Sequence, residues 1–153
     1  MRSKKVCNLY ISDHYSQIIF APNHQTKDGI YYEQEKCCGS EFLINNEELG
    51  QTILSCLSVF SIKDLDLTQF KQSDWPAYKH SRSKTIKDFK SCYRLISITG
   101  ANEYNLVFNA EAFLNYTEEV SVKIVFSSNE QEKEIGKKIQ ELYQASNLIK
   151  DKK

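Results

Sequence analysis

Glycine and proline are scarce in this chain, with five Gly and two Pro among 153 residues. That scarcity excludes collagen-like, linker-like and low-complexity character. Net charge is missing as well, since 20 Lys+Arg balance 20 Asp+Glu. Proteins that live on nucleic-acid phosphates normally carry a basic excess, so no direct nucleic-acid partner is expected. No apolar run approaches the ~18 residues of a membrane span, and no membrane partner is expected either. The opening Met1-Arg-Ser-Lys-Lys-Val-Cys7 is basic but leads into no apolar signal core, which points to a cytoplasmic chain.

Catalytic signatures are also lacking. There is no dinucleotide fingerprint, no P-loop and no Gly-x-Ser-x-Gly elbow. Imidazole is limited to His14, His24 and His80. Cys7, Cys37, Cys38, Cys56 and Cys92 are odd in number, and adjacent Cys37 and Cys38 leave no two-residue gap for zinc or redox chemistry. Free, mostly buried thiols are expected, with no metal and no cofactor.

What remains is an ordinary globular composition, 41% hydrophobic, 12% aromatic and 26% charged, of a length that suits one domain over residues 1–153. Val6–Ile11 and Gln17–Ala21 read as strands around the polar Ser12–Ser16. Pro22–Gly29 reads as a loop, Ile30–Tyr32 as a resumed strand and Glu41–Ile44 as a brief strand set off by Gly39. Asn45, with Glu48 three residues on, opens a helix carrying Leu49, Ile53, Cys56, Leu57 and Phe60 at helical spacing. Gly50 inside it costs about 1 kcal/mol against Ala, which implies a packing reason.

From Ser61 to Tyr78 periodicity fades around Leu65, Leu67 and Phe70, and Pro76 disfavours helix at the single Trp75. Ser83 is the expected cap of a short helix with Ile86, Phe89 and Tyr93. Arg94–Thr99 and Tyr104–Asn109 form a hairpin pattern, and Val120, Val122, Ile124 and Phe126 alternate with wetter positions. Last comes a helix capped by Ser128 or Asn129, with Glu130, Glu132 and Glu134 near its start. Its stripe is Ile135, Ile139, Leu142, Ser146 and Ile149, and the basic Lys150, Lys152 and Lys153 close its C-terminal end. The fold class that follows is α+β, a mainly antiparallel sheet with two or three packed helices.

Charge is segregated along the chain. Residues 30–66 hold seven acids (Glu33, Glu35, Glu41, Glu47, Glu48, Asp64 and Asp66) against two bases, and residues 71–94 hold seven bases against two acids. Residues 101–122 add four acids and no base. Such segments either neutralise one another across the fold or offer an acidic face to a basic protein, a complementarity that speeds association and discriminates partners. Lys79, His80, Arg82 and Lys84 raise the alternative of an RNA-cleaving enzyme using His80 with neighbouring cations, while a solvated basic loop leading into a helix is the favoured reading of them. A non-enzymatic bacterial adaptor binding through an exposed strand edge is a further alternative.

Gly29-Ile-Tyr-Tyr32, Ile44-Asn-Asn-Glu-Glu-Leu-Gly-Gln51 opening a helix, and Trp75 followed by Lys79-His-Ser-Arg-Ser-Lys-Thr-Ile-Lys-Asp-Phe89 and a β pair resemble the proteobacterial contact-dependent growth inhibition immunity proteins. The resemblance spans Gly29 to Asn109. It implies a small cytoplasmic α+β protein, not an enzyme, that binds and blocks the C-terminal toxin of a neighbouring delivery protein; such toxins are often nucleases, RNases prominent among them. The expected partner is therefore a cognate toxin domain, a basic nuclease whose phosphate-binding cations would meet carboxylates. The charge count alone selects Glu33, Glu35, Glu47, Glu48, Asp64 and Asp66 as the toxin-binding acids, with Tyr31 and Tyr32 as aromatic anchors.

Overall fold

The computed structural model describes residues 4–41, 44–102, 104–113 and 119–148. In chain order the strands are β1 (Lys5–Ser12), β2 (Gln17–Gln25), β3 (Tyr31–Glu33), β4 (Cys38–Glu41), β5 (Ser61–Ile62), β6 (Arg94–Gly100), β7 (Asn105–Phe113) and β8 (Glu119–Ser127). The helices are α1 (Asn46–Ser58), α2 (Pro76–His80), α3 (Ile86–Cys92) and α4 (Glu132–Leu148), with single 3₁₀ turns at Leu67–Gln69 and Gln72–Asp74. One eight-stranded sheet runs β3-β2-β1-β6-β7-β8, and β4 and β5 also pair with β2. Every pairing is antiparallel except β5 beside β2. This is the expected α+β class.

Strand alternation gives the sheet two different faces. Cys7, Leu9, Ile11, Ile18, Phe20, Ile96, Ile98, Leu106, Phe108 and Ala110 point to one face and pack with Leu49, Ile53, Leu57, Ile135, Ile139 and Leu142 of α1 and α4. Tyr10, Ile19 and Ala21 point to the other, beneath Ala77 of α2, Phe89 of α3 and Tyr93. Asn45 caps α1 by accepting the Glu48 N–H at 2.9 Å. Buried Ser146 closes the described part of the α4 stripe; Ile149 and the terminal lysines lie outside the described residues.

Gly50 has its packing reason. A Cβ there would sit 1.9 Å from the Glu132 carbonyl oxygen, and one on Gly136 would sit 1.9 Å from that of Asn46. The two long helices therefore cross with their backbones in contact, each contributing one glycine.

Local expectations for β2 and the loop after it, for β4 and for two helix caps are corrected. β2 does not end at Ala21 but runs through Pro22 to Gln25. Pro22 stands where β2 passes from pairing with β4 to pairing with β3, so its missing N–H costs no ladder bond, and its carbonyl accepts the Gln34 N–H at 2.7 Å. The loop contracts to a turn closed by Thr26 and Ile30, with Gly29 at φ +90°. Gly39 lies within β4 rather than ahead of a strand, because an outer strand is held by backbone pairing, here Gly39 opposite Ile19. The helix with Phe89 is capped by Thr85, not Ser83: the Thr85 hydroxyl accepts the Asp88 N–H at 3.1 Å. Ser128 and Asn129 precede α4 instead of capping it, the Ser128 N–H going to the Tyr104 carbonyl at 2.7 Å. Trp75 is extended, as Pro76 requires, and Pro76 itself occupies the first turn of α2, where its absent N–H is harmless.

Candidate functional site

β3, β5 and the 3₁₀ turns gather most of the candidate residues at one end of the sheet. Gln25 of β2 pairs with Tyr31 on one side and Ile62 on the other. The Tyr31 ring lies 6.1 Å from that of Phe60, and its hydroxyl donates to the Lys4 carbonyl at 3.0 Å. The Tyr32 hydroxyl donates to the Lys63 carbonyl at 2.7 Å, and its ring lies 5.3 Å from His24. His24 Nδ1 in turn meets the Ser61 hydroxyl at 2.9 Å. Burial first, then the Lys63 charge, holds that imidazole below its ordinary pKa.

Glu33 turns inward. Its Oε1 accepts from Asn8 Nδ2 at 3.1 Å and from the Tyr10 hydroxyl, and its Oε2 accepts from the Ala77 N–H at 3.2 Å. One carboxylate thereby ties β3 to β1 and to the start of α2. Burial above all, followed by the Glu33 charge, pushes the Tyr10 phenol well above its usual value, so it stays a neutral donor.

The other acids divide into two kinds. Asp64 accepts the Lys27 N–H at 2.7 Å and pairs with its ammonium at 3.2 Å, while Asp66 accepts from Thr68 N–H and hydroxyl at 3.0 and 2.6 Å. These contacts hold both carboxyls below the usual range, the Lys27 amide leading for Asp64 and the Thr68 hydroxyl for Asp66. Glu35 is exposed beside β3, and its carboxylate forms no ion pair among the described residues. Glu47 and Glu48 are exposed in the first turn of α1. That 13-residue helix separates them by about 20 Å from the β3–β5 end, so the structure does not join all six acids into one face.

Sequence reasoning missed the apolar part of this end. Among the described residues, the exposed large hydrophobic side chains are Ile30, Tyr31, Val59, Ile62, Leu65 and Phe70, all in this stretch, and Tyr104 and Val125 elsewhere. Leu65, Phe70, Pro76 and Tyr32 wall a depression of about 230 Å³ that Glu33, Glu35, Lys36, Lys63 and His24 also line. The available signal was a run of apolar residues without helical or strand periodicity, which a buried core does not require.

The basic segment converges less. Arg82 pairs with Glu41 at 2.8 Å and also donates to the Tyr15 carbonyl at 2.7 Å, so it braces a loop. Lys79, His80 and Lys84 are exposed around that loop. The thiols are free. Burial pushes Cys37 up to about 12, the Cys56 contact and then burial raise Cys38, and burial raises Cys92. Thiols so protonated are poor nucleophiles. Among the described residues no three His, Cys, Asp or Glu side chains converge as metal ligands, and no helix is long and apolar enough to cross a membrane.

No model of a protein family matches this sequence, and no curated protein matches it. Solved structures do share its fold. A protein of unknown function from Neisseria meningitidis superposes with TM-score 0.71 at 13% identity, covering 93% of this chain and 94% of the other. A chain of the CdiA-CT/CdiI toxin and immunity complex from Yersinia pseudotuberculosis superposes with TM-score 0.66 at 11% identity, covering 94% of this chain and 97% of that one.

Proposed function

We propose that this chain is a cytoplasmic immunity protein that binds and neutralises the toxin domain of a contact-dependent growth inhibition system, the toxin being a nuclease that acts on RNA. The observation that carries the reading is the fold shared, over nearly the full length of both chains, with a member of a toxin and immunity complex. The residues from Gly29 to Asn109 that resemble such immunity proteins support it independently.

The mechanism is occupation of a surface. The β3–β5 end offers Tyr31, Tyr32 and exposed aliphatic side chains for desolvated contact, with Glu35 at the rim for steering. Asp64 and Asp66 act there through the loops they brace, and Glu47 and Glu48 serve a second, peripheral contact. Binding makes and breaks no covalent bond in the immunity protein. The test is co-expression with the toxin domain encoded immediately upstream. Protection of the cell and co-purification of the pair are expected; growth arrest despite full expression of this chain overturns the reading.

A further inference from the structure

Glu33 is a charge without a counter-charge. Its three hydrogen bonds come from neutral groups, the Asn8 amide, the Tyr10 hydroxyl and the Ala77 N–H. Among the described residues no Lys, Arg or His forms an ion pair with it, although Lys36 and Lys63 line the same depression. A carboxylate has about four acceptor positions, so one remains open, on Oε2. The three donors fix the group in place before any partner arrives, which removes the ordering cost of a new bond. Around it stand the Tyr32 ring and the exposed Leu65 and Phe70, apolar walls that suit a planar, weakly hydrated cation.

We infer that this depression is the seat of an arginine side chain from the partner, its stem on Leu65 and Phe70, its guanidinium against Tyr32 and its N–H groups on Glu33 and Glu35. The inference rests on the immunity reading for the identity of the partner, and on the geometry alone for the chemistry of the anchor.

The probe is N-acetyl-arginine methylamide, titrated into the whole protein while backbone amide resonances are followed. Saturable shifts at Tyr32, Leu65, Phe70 and Ala77 are expected, weaker with the lysine analogue. Leu65→Lys, at an exposed position, places an ammonium in the depression and abolishes them; Glu33→Gln does the same. The folded spectrum of Leu65→Lys keeps the test valid if Glu33→Gln unfolds. Both variants weaken capture of the upstream-encoded toxin domain by about tenfold or more. Arginine shifts elsewhere, or unchanged in Leu65→Lys, overturn the site. A protein that takes the probe but ignores the toxin retains the anchor and loses the immunity reading. One that captures the toxin equally well with Leu65→Lys retains the function and loses the anchor.

Discussion

The two faces of the sheet are held by different physics. Beneath α1 and α4 the contacts are mainly aliphatic, around the buried rings of Phe20 and Phe108, and the buried polar Ser146 turns its hydroxyl back to the Tyr143 carbonyl at 2.7 Å. Beneath α2 and α3 the contacts are aromatic: Phe89 lies 5.2 Å from Tyr10, 4.9 Å from Trp75 and 5.0 Å from Tyr93. Hydrogen bonds lace that second layer to β2 and to the turn before it, from Tyr93 to Gln17, from Arg82 N–H to Gln17 and from Tyr15 to Asp88. The difference follows from length. Helices under ~12–15 residues are marginal alone, so α2 with five residues and α3 with seven need directed bonds to the sheet. The 13- and 17-residue helices are held by the area they bury.

Phenylalanine truncation separates the two layers most sharply. Phe108→Ala and Phe89→Ala each remove a fully buried ring, at about 3–5 kcal/mol. Phe108→Ala is expected to lower global stability in chemical denaturation. Phe89→Ala is expected to open α2 and α3 locally, with their amides exchanging fast while β1, β6 and β7 stay protected. Uniform loss of protection in both variants would erase the distinction. Next in size is Gly50→Ala, which gains about 1 kcal/mol of helix propensity in an open helix. Here its methyl group meets backbone, and a net loss of about 3 kcal/mol is expected. Gly100→Ala, whose nearest neighbour would be 3.7 Å away, is the control. Tyr10→Phe removes one donor from Glu33 and should cost about 1.5–3 kcal/mol, seen as a lower unfolding midpoint and faster exchange at Ala77. An unchanged midpoint would show that Glu33 does not pin α2.

The aliphatic layer was legible in the sequence because area burial leaves a period. Leu49, Ile53, Cys56 and Leu57 repeat as a helix must, and so do Ile135, Ile139, Leu142 and Ser146. Of the aromatic layer only the short helix carrying Phe89 and Tyr93 was legible, since the ring contacts of Phe89 with Trp75 and Tyr93 and the hydrogen bonds from Tyr93 to Gln17 and from Tyr10 to Glu33 join distant segments and leave no spacing rule. The acidic run was read as a face from charge count alone. Counting does not reveal that Glu33 is drawn inward, that Asp64 and Asp66 brace loops, or that a helix sets Glu47 and Glu48 apart. The exposed Ile62, Leu65 and Phe70 left only a loss of periodicity as their signal, and nothing in their order says which apolar residues a fold leaves uncovered.

The smallest expected effect tests the lacing itself. The Tyr15 hydroxyl, 2.5 Å from Asp88 Oδ2, and then the Cys92 thiol hold the Asp88 carboxyl below its ordinary pKa. A carboxyl depressed in the folded state contributes stability that is fully present above its unfolded pKa and is lost as pH falls through the folded one. The phenol is shifted the other way by the same bond, so its contribution holds below the unfolded tyrosine pKa and fades only as pH rises through the folded value. Between those limits the bond is intact. Asp88→Asn should therefore flatten the acid limb of a stability–pH profile measured by denaturant midpoints, and leave Phe108 and its neighbours untouched. Because Asp88 is solvent-accessible, salt and water keep the change modest. An acid limb identical in the two proteins would show that the aromatic layer is held by ring packing, with the hydrogen bond a passenger.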